Sequence, residues 1–246
     1  MGQNKEIDRH RTASEPVPDV ISYMTMRKAI GILGILLPWL VVVLARVLGG
    51  YSQKDSISAY YYSNMRDPFV GLLCMVGVFL YSYQGLSWVD DLVTNVCGLL
   101  AIGVAFFPTQ MEDERWIKVG VAQLSDYQSS FVHYTCALLL FVLLACVSTF
   151  LFTKTNPDKK PTKQKLARNR VYIACGLVMF AAMLVGGGFS LPPFQHAAPP
   201  HLIFWVEAIC LNAFGISWLI KGEALLADEV DLAATASDRP ARPAVN

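Results

Sequence analysis

The sequence predicts an all-α, polytopic membrane protein, a bundle of six transmembrane helices with both termini in the cytoplasm. Three observations lead to this fold class. Hydrophobic residues make up 54% of the 246 residues and charged residues only 16%, whereas soluble domains carry about 25% charged residues. Charges are absent from six long stretches, and the basic residues are concentrated in alternate connections between those stretches.

Apart from the histidine that opens the fourth stretch and one glutamate in the last, the six stretches carry no acidic or basic residue. They are Ala29–Ala45, Pro68–Val89, Leu92–Met111, His133–Thr153, Val171–Gln195 and Leu202–Ile220. About 20 predominantly apolar residues are enough for a helix to cross the hydrocarbon core of a bilayer. We therefore predict one transmembrane domain over residues 26–222, with helices at about 27–49, 68–88, 92–109, 129–152, 171–190 and 201–220. The polar tails, residues 1–25 and 223–246, are predicted to be disordered.

The distribution of lysine and arginine predicts the orientation of these helices. With six spans, the N-terminal tail, the second and fourth connections and the C-terminal tail lie on one side, and they hold 15 of the 20 basic residues. Seven of those 15 fall between Lys154 and Arg170. Because basic residues accumulate in cytoplasmic segments, both termini are predicted to lie in the cytoplasm.

The first two helices begin with residues typical of membrane boundaries. Arg27 and Lys28 anchor the start of helix 1 at the inner surface. Arg46 lies near the outer end of this helix, where a long cationic side chain extends to the headgroups. Asp67 followed by Pro68 predicts the start of helix 2, with Asp67 as N-cap and Pro68 as first helical residue.

The later helices follow the same pattern. Asp90 and Asp91 favour the start of helix 3, because negative charge is stabilised at a helix N-terminus. Helix 4 is predicted to start near Ser129 and to carry His133 about one turn in. The stretch KTNPDKKPTKQKLARNR before helix 5 contains prolines and seven basic residues, so a flexible surface connection is predicted there. Helix 6 carries Glu207.

The composition disfavours several classes of function. The net charge is only +1, so no nucleic-acid partner is expected. The six cysteines all fall within predicted spans, where cysteine behaves as a small apolar residue, and no disulfide framework is expected. His196 and His201 have no carboxylate or thiol nearby in sequence to complete a ligand set, so no metal or other cofactor is expected.

The stretch DSISAYYYSNMRDPFVG, residues 55–71, is unusually polar for a connection between two apolar helices. The predicted topology places it outside the cytoplasm, beside the outer ends of helices 4 and 6. Those helices carry His133 and Glu207, and ionisable groups within a span usually face the bundle interior or a wet cavity. The candidate substrate-binding residues are Ser56, Ser58, Tyr61, Arg66, Asp67, His133 and Glu207.

Two interpretations of this cluster require no reaction, although lipid handling could also include one. In a structural interpretation, the tyrosines anchor the interface and Asp67 caps helix 2. Arg66 then pairs with an acidic residue of an outer loop, while His133 and Glu207 hold two helices together by a hydrogen bond. In the interpretation that we favour, the cluster binds membrane lipids, and Arg66 contacts a headgroup phosphate.

Two further interpretations invoke activity. In a lipid hydrolase or acyltransferase, Ser56 or Ser58 is the nucleophile and His133 the base. The base is then oriented by Asp67 or Glu207. In a small-solute transporter, a polar path continues to the inner face, for which Asn95 and Asn212 are the available groups in the spans.

The order of these features resembles a broad family of membrane proteins. SIS lies in the outer loop after helix 1, and a histidine near the start of helix 4 opens the segment HYTCA. With six spans and both termini inside, the chain resembles the family of the damage-regulated autophagy modulator (DRAM) proteins and the factor that remodels the lipid of GPI anchors. It is also similar to bacterial membrane proteins with stretches like SISAYYYSNMRDPFVG and WLIKGE. The resemblance implies a site at Ile57, Ser58 and His133, and a multi-pass protein of a bacterial inner membrane.

Overall fold

The computed structural model describes residues 23–110, 118–120, 122–155 and 162–223, and most of these residues are helical. The α-helices of this part are α1 (Tyr23–Gly49), α2 (Arg66–Tyr81), α3 (Trp88–Phe106), α4 (Asp126–Cys146), α5 (Lys163–Ser190) and α6 (Leu202–Lys221). A 3₁₀-helix, η1 (Ser58–Tyr62), precedes α2, and another (Phe194–Ala197) precedes α6. A π-helical turn (Val147–Leu151) extends α4. The two-residue strands β1 (Lys118–Val119) and β2 (Leu124–Ser125) pair antiparallel before α4.

Five helices of the described chain are long and apolar enough to cross a membrane: α1, α3, α4 with its π-helical extension, α5 and α6. The all-α prediction is therefore confirmed, and the chain has the makeup of a multi-pass membrane protein. Helix α2 has 16 residues and is about 24 Å long at 1.5 Å per residue. It is thus shorter than the hydrocarbon core of a bilayer, which is about 30 Å thick.

Several predicted helix starts are wrong, and helix caps explain the differences. Helix α5 begins eight residues earlier than predicted, because the Thr162 side chain accepts a hydrogen bond from Lys165 N at 3.0 Å. Much of the predicted flexible connection is therefore helical. Helix α4 begins three residues early, because Ser125 and Gln128 form a capping box. His133 consequently lies about two turns into α4, not one.

The boundary between α2 and α3 also differs from the prediction. Helix α2 ends at Tyr81 and α3 already begins at Trp88, because Ser87 and Asp90 form a capping box. Met65 is the N-cap of α2, so Asp67 is not the cap that the sequence predicted. The predicted tails lie outside the described residues, apart from residues 23–25, which belong to α1, and residue 223.

The helices alternate in direction, so their connections gather at two ends of the bundle. We call the end with η1 and the starts of α4 and α6 the cavity end. We call the opposite end, with the starts of α1, α3 and α5, the basic end. Helix α1 packs closely on α6, and α2 packs on α3, whereas α4 contacts α3 and α5 but touches α6 only lightly. Space therefore remains between α4 and α6.

Glycines allow the two closest helix crossings. A Cβ on Gly31 of α1 would lie 2.8 Å from the carbonyl oxygen of Gly215 on α6. A Cβ on Gly98 of α3 would lie 2.5 Å from the carbonyl oxygen of Gly77 on α2. A side chain would collide with backbone at both crossings, so the helices meet there through backbone contact, as is common between membrane helices.

Large apolar side chains cover the outside of the bundle as well as its core. Val47, Phe131 and Leu184 are 73%, 65% and 77% exposed, for example. Soluble monomers rarely expose large contiguous apolar patches. An outer surface of this kind is typical of helices that face lipid.

Candidate functional site

A cavity of about 500 Å³ lies at the cavity end between α4, α5 and α6. Its volume falls within the range of about 300–1,000 Å³ that is usual for small-molecule sites. Polar residues line one part of it: Asp55, Ser56, Ser58, His133, Tyr134, Ser190 and Glu207. The remaining lining is apolar or glycine: Ala137, Leu138, Phe141, Met183, Gly186, Gly187, Ile203 and Val206. Four of the seven predicted site residues, Ser56, Ser58, His133 and Glu207, thus meet in one cavity.

The cavity is polar near the cavity end and apolar toward the middle of the bundle. Phe141 follows His133 by eight residues on α4, which is about 12 Å along the helix axis. At the rim, Tyr134, Leu138 and Ile203 are 55%, 59% and 39% exposed. The cavity therefore opens sideways, onto the apolar outer face of the bundle.

Glu207 of α6 holds the start of η1. Its Oε2 accepts a hydrogen bond from Ile57 N at 2.5 Å, and its Oε1 accepts one from Ser58 Oγ at 2.9 Å. The backbone N–H of Ser58 is a further donor to this carboxyl group. No side chain of η1 itself caps this short helix. Glu207 therefore supplies the acceptors that the first N–H groups of a helix require.

The segment before η1 caps α6 in return. The carbonyl oxygen of Asp55 accepts a hydrogen bond from Phe204 N at 2.8 Å, and no side chain caps α6. His201, the N-cap residue of α6, has a left-handed backbone with φ of 56°. Its Nδ1 lies 2.9 Å from Asp55 Oδ1. This exchange of caps fixes residues 55–58 against α6 and forms one wall of the cavity.

His133 connects α4 to the end of α3. Its side chain is only 1% exposed, and its Nδ1 lies 2.6 Å from the carbonyl oxygen of Phe107. Because a carbonyl oxygen only accepts, Nδ1 carries the proton in this contact. Ser129, one turn earlier, donates to the carbonyl oxygen of Pro108 at 2.9 Å. His133 thus satisfies a backbone group that the end of a helix leaves without a partner.

The predicted hydrogen bond between His133 and Glu207 does not form. Among the described residues, His133 bonds to α3 and Glu207 bonds to the start of η1. The two side chains nevertheless share their surroundings, since both line the main cavity and also a smaller internal void of about 40 Å³.

The serine–histidine contact of the hydrolase interpretation is also missing within the described part of the chain. Ser58 Oγ donates to Glu207, and Ser56 Oγ accepts from Ala59 N at 3.0 Å. Neither serine is bonded to His133. The arrangement fixes the two serines at the start of η1, and His133, the base of the hydrolase interpretation, forms no hydrogen bond with either of them.

The other three predicted site residues lie away from the cavity. Arg66 Nη2 donates to the Tyr61 hydroxyl at 3.1 Å, and its guanidinium lies 4.8 Å from the centre of the Tyr61 ring. Tyr61 itself is buried, with 7% exposed. Arg66 and Asp67 are exposed in the first turn of α2. Among the described residues, Arg66 thus contacts a tyrosine and no acidic side chain. The acidic residues 112–114 of the outer loop, with which Arg66 was expected to pair, lie outside the described residues.

Tyr62, the last of the three consecutive tyrosines at 60–62, connects η1 to the residues that follow α3. Its hydroxyl donates to the carbonyl oxygen of Thr109 at 2.6 Å. Burial raises the pKa of Tyr62 far above its ordinary value, and the nearby charge of Asp126 raises this pKa further. The phenol therefore stays protonated and remains a donor that ties η1 to the end of α3.

A polar path from the cavity to the basic end is absent from the described part of the chain. The core between them contains Met179, Cys210, Phe214 and Trp218, each at most 1% exposed. Asn212 turns outward, where its Oδ1 accepts from the exposed Trp39 at 3.3 Å. The transporter interpretation therefore lacks its route in this conformation.

Comparisons with protein-family models, with curated proteins and with solved structures find no match for this chain. The family resemblance carried by Ile57, Ser58 and His133 therefore stays a prediction. The assignment of a function depends on the geometry of the cavity.

Sequence reasoning missed several residues that line the cavity. Asp55 is the first residue of the polar stretch, and its backbone carbonyl caps α6. A backbone contact of this kind leaves no signal in the residue type. Gly186 and Gly187 belong to a run of three glycines near the end of α5. That run was a usable signal, since residues without side chains leave space beside a helix.

Proposed function

We propose that this chain is a six-span membrane protein that binds a lipid in the cavity between α4, α5 and α6. The lipid head contacts the polar region formed by Ser56, Ser58, His133 and Glu207, and an acyl chain follows the apolar walls. The single observation that carries this proposal is the cavity itself, which is polar at one end, apolar at the other and open sideways to the outer face. A lipid enters such a cavity from the bilayer without crossing water.

The distribution of charge supports an orientation with both termini in the cytoplasm. In this arrangement α2 also crosses the membrane, which brings the number of spans to six. The basic end then lies at the inner surface, as the positive-inside rule requires. A helix shorter than the hydrocarbon core is accommodated by local thinning of the bilayer or by its neighbours. The cavity end then faces away from the cytoplasm, and the lipid comes from the outer leaflet.

The charges around the cavity favour a lipid without phosphate. The lining contains the acidic residues Asp55 and Glu207 and no lysine or arginine. Phosphate groups in proteins are usually bound by arginine, lysine or helix N-termini. Carboxylate, hydroxyl and imidazole groups instead suit a small head that carries hydroxyl groups. We therefore propose diacylglycerol-like lipids as the ligand class, in place of the phosphate contact expected for Arg66.

The test compares two glycines of α5. Gly187 lines the cavity, whereas Gly188 does not, and a Cβ on either residue meets open space. In Gly187→Phe the aromatic ring occupies the cavity, and Gly188→Phe is the matched control. Both proteins are purified in mild detergent with dioleoylglycerol or dioleoyl phosphatidic acid, and bound lipid is measured by native mass spectrometry.

Wild type and Gly188→Phe are expected to retain dioleoylglycerol, while Gly187→Phe loses most of it. Phosphatidic acid has the same acyl chains and is expected to bind the cavity at least tenfold more weakly. Equal retention by the two glycine variants would contradict a lipid site in the cavity. If the wild type instead prefers phosphatidic acid and Gly187→Phe loses this binding, the cavity is still the lipid site. The proposal of a headgroup without phosphate would then be refuted.

A further inference from the structure

Four cationic side chains converge at the basic end, far from the cavity. They are Arg27 of α1, Lys165 and Arg168 of α5 and Lys221 of α6, which we call the cationic cluster. Arg27 Nη1 donates to the carbonyl oxygen of Lys221 at 3.4 Å, and Lys165 Nζ donates at 3.0 Å to the carbonyl oxygen of Phe152, whose ring lies beside Lys221 Nζ. The charges of the other three all act on Lys221, as does the opposite charge of Asp90. Arg168 is only 8% exposed. The other three are half-buried, and like charges held close together in such positions repel one another unless an anion compensates them.

The groups around Lys221 and Arg27 are mainly aromatic. Lys221 Nζ lies 5.1 Å from the centre of the Phe152 ring and donates a hydrogen bond to no described residue. The Arg27 guanidinium lies 4.9 Å and 5.4 Å from the ring centres of Tyr23 and Tyr83. Its Nε is buried and has no partner in the described part of the chain. Both side chains thus retain N–H groups for an acceptor.

The acidic residues described at this end are used elsewhere or exposed. Asp90 lies 2.5 Å from Lys154 and also accepts the backbone N–H groups at the start of α3. Asp91 accepts from Gly85 N at 2.5 Å. Glu223 is exposed and forms no ion pair with a described residue. The charge of Asp90 does act on Lys221, but Asp90 is already paired with Lys154. Among the described residues, neither Arg27 nor Lys221 forms an ion pair with an acidic side chain.

We propose that the cationic cluster binds a phosphate group, with Arg27 and Lys221 as its direct ligands. Arginine provides several donors in a planar fork and lysine a compact charge, and both bind phosphate oxygens. Basic pockets between membrane helices at the cytoplasmic surface are suited to the heads of anionic lipids. Lys165 and Arg168 add positive charge to the site, whatever else they contact. This proposal does not depend on the cavity or its ligand.

The phosphate has two possible sources, an anionic phospholipid or free phosphate, and the experiment separates them. The full-length protein in mild detergent is mixed with dioleoyl phosphatidylglycerol, and bound lipid is counted by native mass spectrometry with and without inorganic phosphate. Dioleoylglycerol, which lacks phosphate, serves as the lipid control. Lipid binding that persists in inorganic phosphate indicates a lipid headgroup, and displacement indicates that free phosphate is sufficient.

The variants Lys221→Gln and Arg27→Gln are expected to bind phosphatidylglycerol at least tenfold more weakly than wild type. Lys221→Arg keeps the charge and is expected to restore binding to within about threefold. The matched controls are Lys163→Gln and Arg170→Gln, which remove exposed cations at the same end and are expected to change binding less than twofold.

Two results would overturn the proposal. Wild-type affinity in both Lys221→Gln and Arg27→Gln would mean that the cluster is not the site. Equal losses in the cluster variants and in their exposed controls would mean that only general surface charge attracts the lipid. Binding of dioleoylglycerol to the cavity is measured in the same samples, so failure here is distinguishable from failure of the proposed function.

Discussion

At the cavity end a single carboxyl group, that of Glu207, is surrounded by donors from a neighbouring segment, and an open cavity adjoins it. At the basic end several cations meet aromatic rings in a close-packed core around Trp218, which is fully buried. Trp218 contacts Tyr83, Phe152 and Phe214, with ring centres 4.9–6.0 Å apart. One end is thus held by hydrogen bonds and the other by packing.

The difference between the two ends shows how a small helix bundle can keep a cavity open at one end while close packing stabilises the other. Packing at the basic end leaves little space, so it fixes α1, α5 and α6 against one another. The cavity end does not need such packing, because Glu207 and Asp55 exchange backbone hydrogen bonds between α6 and η1. The cavity beside α4 can therefore stay open. Each variant below changes one end and leaves the other intact.

Trp218→Ala should give the largest effect on stability. Replacing a buried tryptophan with alanine usually costs about 3–5 kcal/mol, because a void remains. Met183→Ala is the paired change at the cavity wall, where part of the side chain already borders empty space, and a loss of about 1 kcal/mol is expected. Unfolding in mixed micelles with increasing SDS measures both. Equal losses would contradict the distinction between a packed end and an open end.

Glu207→Ala should have the next largest effect. It leaves the N–H groups of Ile57 and Ser58 without acceptors, and unsatisfied buried donors cost about 1–3 kcal/mol. Glu207→Gln retains one acceptor and should lose less. Hydrogen exchange of η1 is expected to accelerate in Glu207→Ala while α2 stays protected. If η1 remains protected in the alanine variant, Glu207 is not what holds it.

Asp90→Asn tests a helix cap at the basic end, for comparison with the cap that Glu207 provides at the cavity end. Asp90 belongs to the capping box of α3 and pairs with Lys154, so a loss of about 1 kcal/mol in the same unfolding assay is expected. Lys154→Gln leaves the cap in place and should cost about half as much. A larger loss in the lysine variant would mean that the ion pair, and not the cap, determines stability here.

Arg66→Ala should have the smallest effect. Arg66 is exposed where it meets the Tyr61 ring, and cation–π pairs at exposed sites contribute about 0.5–1 kcal/mol. Because Arg66 does not line the cavity, retention of dioleoylglycerol should equal that of wild type in native mass spectrometry. A selective loss of this lipid would mean that Arg66 belongs to the binding site, and it would contradict the boundaries of the cavity described above.

The sequence was sufficient for the class of fold and for part of the site. Long apolar stretches without charge predict helices wherever they occur, so all six were found. Ser56, Ser58, His133 and Glu207 were expected to lie together because polar or ionisable groups in apolar surroundings are rare and costly, and they line one cavity. Arg66 was expected beside them but does not line that cavity, because a nearby position in sequence does not tell which way a side chain turns.

What the sequence by itself determined is therefore local: where apolar helices run, where charge is excluded and which polar groups stand out. Only the tertiary structure decided the partners of those groups. Glu207 bonds to η1 and His133 to the end of α3, because backbone donors and acceptors at helix ends must be satisfied by whatever side chain the packing brings near. The cavity has the same origin, since it exists only because α4 and α6 stay apart, and no short stretch of sequence encodes that separation.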